Sequence, residues 1–184
     1  LGVTLIARAA AGRDPLYRRL ALRHGVDVRG SVVIDRPRHE VYVALRDLRR
    51  APRFLSQIDS VVERGATAAW TADRGPVTIE WTSEITEERP DERLAWRAIP
   101  GSAFEHEGAI ELADAPGGTR VTIALRFEPP GGPFAGPLEG LYRDITRRRL
   151  AADLDCLRGQ LETHLPPFDP TRFVDAAGAD AIHP

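Results

Sequence analysis

Val77-Thr78-Ile79-Glu80-Trp81-Thr82-Ser83-Glu84-Ile85-Thr86 decides the fold. Val77, Ile79, Trp81, Ser83 and Ile85 share one face, and Thr78, Glu80, Thr82, Glu84 and Thr86 share the other. Strict alternation of this kind is the mark of a strand with one side against a core and one side in water. The same period recurs downstream. Leu94 and Trp96 face one way in Arg93–Ala98. In Phe104–Leu112, Phe104, His106, Gly108, Ile110 and Leu112 alternate with Glu105, Glu107 and Glu111. In Arg120–Glu128, Val121, Ile123, Leu125 and Phe127 alternate with Arg120, Thr122, Arg126 and Glu128. Arg74-Gly75-Pro76, Arg89-Pro90-Asp91, Pro100-Gly101 and Pro116-Gly117-Gly118 punctuate the run as turns. The result is an antiparallel sheet with one apolar face. Parity puts Trp81, Trp96, His106, Ile110, Ile123 and Leu125 on that face, and Glu80, Glu84, Glu107 and Arg126 in water.

Upstream, Val28–Asp35 reads as a strand with Val28, Val32 and Ile34 on one side. Pro37 opens a helix, Pro37–Leu48, since proline fits the first helical turn. A second short helix is expected over Ala51–Gln57. Downstream, Pro129-Pro130-Gly131-Gly132-Pro133 stops the last strand. A long helix follows over Ala135–His164, with Leu138, Tyr142, Leu150, Leu154, Leu157 and Leu161 on its apolar side. The fold class is therefore α+β: a curved antiparallel β-sheet wrapped around a long C-terminal α-helix. The gap between sheet and helix is a natural ligand site. Residues 1–27 form a separate helical segment, 28–165 the domain, and 166–184 an Asp/Ala/Gly/Pro-rich tail expected to be disordered.

Composition removes several function classes. The 184 residues carry 25 basic and 27 acidic side chains, a net charge of −2, so electrostatics offers no case for nucleic acid as a partner. Every basic residue is Arg. The single cysteine, Cys156, excludes an internal disulfide and leaves a structural zinc site without thiolates. With that cysteine count a reducing, cytoplasmic compartment is the simpler expectation. Val3–Gly12 is too short and too interrupted to span a bilayer. Met is absent even at position 1, so the chain reads as processed or cut from a longer one. No metal site is expected, because His24, His39, His164 and His183 are scattered. There is no GxSxG elbow, and Cys156 has no histidine at helical spacing, so it is expected to be inert.

Several segments resemble the polyketide cyclase/dehydrase and lipid-transport family of the START and Bet v 1-like (SRPBCC) superfamily. They are Val28–Pro37 with Glu40-Val41-Tyr42, Pro52–Leu55, Glu80-Trp81, Glu84–Glu87 with Arg89-Pro90, Leu94–Arg97 with Pro100-Gly101, and Pro116–Thr119 before Val121. The resemblance covers about residues 28–163. It implies a helix-grip fold and a cavity for an apolar small molecule such as a lipid, a quinone or a polyketide-like aromatic. It implies no cofactor. Arg8–Leu22 resembles the tail of a small inner-membrane module. That resemblance implies membrane association through a missing N-terminal segment, at the inner face; an ordinary amphipathic helix is the equal alternative.

The ligand-binding residues expected from this reading are Trp81, Trp96, His106, Ser83, Phe104, Ile110, Ile123, Leu138 and Tyr142. His106 is the candidate catalytic residue, because an imidazole on the apolar face would serve as acid–base group or as an anchor for a carbonyl. Ser83 lies on the same face and would pair with it. Each also has a plainer reading: His106 as a hydrogen-bonded core residue, Ser83 as a small residue making room for an indole. Three functions follow. The first is binding of an apolar small molecule, the second polyketide cyclisation or dehydration through His106, and the third a membrane-tethered interaction domain without ligand.

Overall fold

The computed structural model describes residues 25–74, 77–102, 105–128 and 139–164. The expected N-terminal helix, most of its parent segment 1–27, the residues Phe104 and Leu138, and the tail 166–184 lie outside them.

Strands β1 (Val26–Ile34), β2 (Ser60–Arg64), β3 (Thr67–Arg74), β4 (Val77–Arg89), β5 (Arg93–Ala98), β6 (His106–Ala115) and β7 (Gly118–Phe127) form one sheet. Its order is β1-β7-β6-β5-β4-β3-β2, with every neighbouring pair antiparallel. β1 joins the far end by pairing with the last strand, and β2 to β7 follow as a meander. Helix α1 (Arg38–Arg46) and a 3-10 turn (Leu48–Arg53) connect β1 to β2, and helix α2 (Glu139–His164) ends the described chain. The four turn signals fall at strand ends. In the β4–β5 turn Asp91 takes a positive φ of 63°, and the Glu92 N–H donates to the Arg89 carbonyl at 3.0 Å.

The expected second helix is instead a tight 3-10 turn that ends before Phe54. The Ala51 carbonyl accepts from both Phe54 N–H (3.1 Å) and Leu55 N–H (2.8 Å), and the chain does not continue as a helix beyond that turn. Phe54 still packs against the core.

Val28, Val32 and Ile34 of β1, Ile110 and Leu112 of β6, Val121 and Phe127 of β7, and Val41, Tyr42 and Leu45 of α1 are buried together with Leu150, Leu154, Leu157 and Leu161 of α2. Gly30 explains how close α2 comes: a Cβ there would lie 2.8 Å from Leu154 Cδ1. The main contact of α2 is with β1. Its C-terminal end is also tied to the β1–α1 junction, where Arg36 donates from Nε to the Leu161 carbonyl (3.0 Å) and from Nη2 to the Glu162 carbonyl (2.9 Å). Those carbonyls belong to the last helical turn, which has no intrahelical donors of its own. Before Leu150, α2 carries no buried residue, and Leu141 is 56% exposed. The helix therefore grips the β1 side of the sheet rather than covering the whole apolar face.

The outer face departs from the expected hydrated surface. Glu80 is exposed, but Glu107 is 4% and Arg126 9% exposed. The register aligns Asp27, Arg126, Glu107, Arg97 and Glu84 on five adjacent strands, so charges of opposite sign stand side by side along the row. Arg126 donates from Nε and Nη2 to the two Asp27 oxygens at 2.5 and 3.1 Å, and Arg97 to Glu84 at 2.7 Å. In a parallel row Arg93, 1% exposed, bridges Glu87 (2.8 Å) and Glu111 (2.7 Å). Between the rows lie Ala124, Ala109 and Ala95, all buried. Cross-strand pairing thus satisfies these charges laterally, which parity alone does not reveal.

Candidate functional site

The inner face of β3 to β6 is an aromatic wall. Trp70 of β3 and Trp81 of β4 are register partners; their rings are parallel within 3°, with centroids 6.3 Å apart. Trp81 then meets His106 of β6 edge to face, at 6.1 Å and 89°. This contact crosses a missing strand, because β5 ends at Ala98, the partner of Ser83. Both geometries are favoured arrangements of aromatic quadrupoles. Trp96 of β5 lies flat over Gly108 of β6, where a Cβ would stand 2.4 Å from Trp96 Cζ2. Ile110 is buried deeper in the same face. Ile123 and Tyr142 are partly buried against the core, beside Leu125.

Of the expected site residues, Trp81, Trp96, His106, Ser83, Ile110, Ile123 and Tyr142 are described. Ser83, 3% exposed, accepts a hydrogen bond from Trp70 Nε1 at 2.8 Å. The hydrogen bond shown for Ser83 is thus to an indole rather than to His106. The sequence offers Trp70, with Trp81 and Trp96, as a flat surface for an aromatic or isoprenoid ligand, and Trp70 stands beside Trp81 in this wall. His106 is 7% exposed. A shallow depression of about 360 Å³ lies at this end of β3 and β4, lined by Trp70, Trp81 and the Ile99–Ser102 turn together with the outer-face residues Glu80 and Thr82, and not by Trp96 or His106. It is open rather than enclosed.

A second polar cluster stands at the other end of β4. Register slips between Ile85 and Glu87, so a β-bulge reverses the parity beyond it. Glu88 now opposes Leu94 and reaches α1. There Tyr42 Oη donates to Glu88 Oε1 at 2.5 Å, and Arg46 Nε donates to the same oxygen at 2.9 Å. Arg46 Nη1 donates to Glu63 Oε1 at 3.1 Å. Burial, then the hydrogen bond and charge of Glu88, push the Tyr42 phenol up from 10.0 to about 12. The Tyr42 hydrogen bond holds the Glu88 carboxyl below its ordinary value, against the opposing effect of burial. The cluster docks α1 on the sheet.

The signs give a pH prediction. The raised phenol stabilises the fold fully below pH 10.0 and loses that contribution as pH rises toward about 12. The depressed carboxyl contributes above its ordinary 4.5 and is lost as pH falls through its lower folded value. In an ultraviolet titration, one of the three tyrosines should ionise late, and Tyr42→Phe should remove that late step. A late step that persists in Tyr42→Phe would contradict the assignment.

Several polar side chains outside these two clusters are peripheral. His39 Nδ1 sits 3.0 Å from Asp91 Oδ1 at the surface. The exposed Cys156 thiol contacts the Arg53 carbonyl at 3.5 Å. Arg147 pairs with Asp144, and Arg149 bonds Gln57. Among the described residues no group of three or more His, Cys, Asp or Glu is placed to hold a metal ion. No helix among them is long and apolar enough to cross a membrane.

A curved seven-stranded antiparallel sheet gripping a C-terminal helix, with an aromatic inner wall, defines a helix-grip protein of the polyketide cyclase type. Residues 34–155 match the family model described as polyketide cyclase / dehydrase and lipid transport, and the chain belongs to that family. A 17.2 kDa uncharacterized protein of Streptomyces lincolnensis is 31% identical over 106 residues, 55% of this chain and 69% of that protein. A crystal structure from Deinococcus radiodurans is similar at 28% identity and a TM-score of 0.60, covering 76% of this chain and 99% of that one. The Zhui aromatase/cyclase of Streptomyces sp. R1128 shares the fold at 17% identity and a TM-score of 0.63, covering 78% of this chain and 98% of that one.

Proposed function

We propose that this protein binds a flat, apolar small molecule, of the quinone or polyketide-like kind, against Trp70, Trp81, Trp96 and His106. The observation that carries the reading is the aromatic wall itself. Two indoles stand parallel, a third lies flat on a glycine, and one imidazole closes the row. Flat surfaces of this size reward stacking by a planar ligand. His106 is the polar group of the wall best placed to anchor a carbonyl or hydroxyl. The Zhui protein, an aromatase/cyclase by its name, supports the ligand class through shared fold. A cyclase needs in addition an imidazole that moves protons on a reactive carbonyl, with the Ser83 hydroxyl, bonded to Trp70, not its partner, whereas binding needs only the wall. Binding is therefore the function favoured over turnover.

The test is native mass spectrometry of protein purified from its own host, followed by titration of tryptophan fluorescence with a dihydroxyanthraquinone and, in parallel, a long-chain fatty acid. Quenching by the planar probe alone is expected; response to the fatty acid alone would overturn the reading. His106→Gln should then weaken binding by about tenfold or less, the size of one lost hydrogen bond. General acid–base help is worth about a hundredfold or more in rate. A loss of that size in a measurable cyclisation, with binding intact, would put a cyclase in place of the carrier.

A further inference from the structure

We propose that Ser83 is a positioning residue: its hydroxyl sets the plane of Trp70, and through Trp70 the Trp81 and His106 surfaces that a ligand meets. The proposal rests on the reading of this wall as a binding surface. Ser83 is 3% exposed, so it is closed to a ligand, yet it accepts the indole N–H of Trp70 at 2.8 Å. The bond runs diagonally between the strands, because the register partner of Ser83 is Ala68 and that of Trp70 is Trp81. Ala68 and Ala72, 2% and 4% exposed, stand on either side of Trp70 along β3. Neither methyl group offers a polar partner, so the N–H bond to Ser83 adds a directional restraint that stacking on Trp81 lacks. With the ring fixed, Trp81 is held parallel to it within 3°, and its edge geometry to His106 follows at 89°. A hydroxyl outside the ligand's reach thereby governs a run of three rings.

The experiment uses Ser83→Ala, Ser83→Thr, Trp70→Phe and the Ser83→Ala/Trp70→Phe pair in the full chain. Stacked indoles give an exciton couplet in far-ultraviolet circular dichroism, which reports the Trp70–Trp81 geometry without any ligand. Ser83→Ala is expected to diminish the couplet and to weaken dihydroxyanthraquinone binding by about three- to tenfold, as expected for loss of one hydrogen bond. Ser83→Thr, which keeps the hydroxyl, should restore both. In the Trp70→Phe background Ser83→Ala should change affinity no further, since the two act through one bond. A full couplet with unchanged affinity in Ser83→Ala, or additive effects in the pair, would overturn the proposal. Should the unaltered protein bind no dihydroxyanthraquinone, the binding reading fails. The couplet then decides positioning alone: lost in Ser83→Ala and regained in Ser83→Thr supports it, retained refutes it. If Ser83→Ala does not fold, Ser83→Cys, which keeps the size but weakens the acceptor, replaces it: a diminished couplet with weaker binding supports the role, and a full couplet with unchanged affinity refutes it.

Discussion

A chain ended after Arg149 is expected to show no cooperative thermal transition, whereas one ended after Pro167 keeps a melting temperature close to that of the full chain. Leu150, Leu154, Leu157 and Leu161 are 8%, 1%, 1% and 2% exposed and all lie in the main core. Burying each leucine is worth about 1.5–3 kcal/mol, so the four together supply roughly 6–12 kcal/mol. That matches the whole net stability of a typical domain, about 5–15 kcal/mol. The shorter chain also strips the cover from Gly30 of β1 and removes the carbonyls that Arg36 caps. Scanning calorimetry of the two chains reads the difference. Equal losses in both would mean that α2 is not the element closing the core.

Gly108→Val is expected to lower stability by about 1–3 kcal/mol, the usual cost of forcing atoms into a filled site, and to remove most binding of a planar probe. Its Cβ would fall 2.4, 2.8 and 2.9 Å from three atoms of the Trp96 ring. No rotation of a flexible tip relieves such a clash, because the obstacle is a rigid indole lying across the backbone. The ring must leave the inner face, taking one surface of the wall with it. Tryptophan emission should move to the red, and the melting temperature should fall. In a Trp96→Ala background the same valine should cost much less, since the atoms it strikes are gone. Wild-type emission and affinity in Gly108→Val would show that the wall does not depend on Trp96.

The turns, the alternation and the apolar side of the last helix were legible because each is a local property. Period-2 alternation placed Trp81, Trp96, His106 and Ile110 on one face without knowledge of any partner strand, and Leu150, Leu154, Leu157 and Leu161 declared the buried side of α2 by helical spacing alone. The family resemblance, carried by turns and core positions, pointed to the fold by the same local signals.

What the sequence determined by itself was therefore the strands from Val77 onward with their inner faces up to the bulge, the long last helix and the family. Only the tertiary structure decided which residues meet. Parity counts positions along one strand, so it cannot see the bulge at Ile85/Glu87 that turns Glu88 toward Tyr42. It cannot see that Glu107 falls between Arg126 and Arg97 and is buried there. Nor can it see that β5 stops early enough for Trp81 to touch His106, or that the Ser83 hydroxyl belongs to Trp70. Those outcomes depend on register between paired strands, set by turn geometry, by the bulge and by which faces are buried across the sheet.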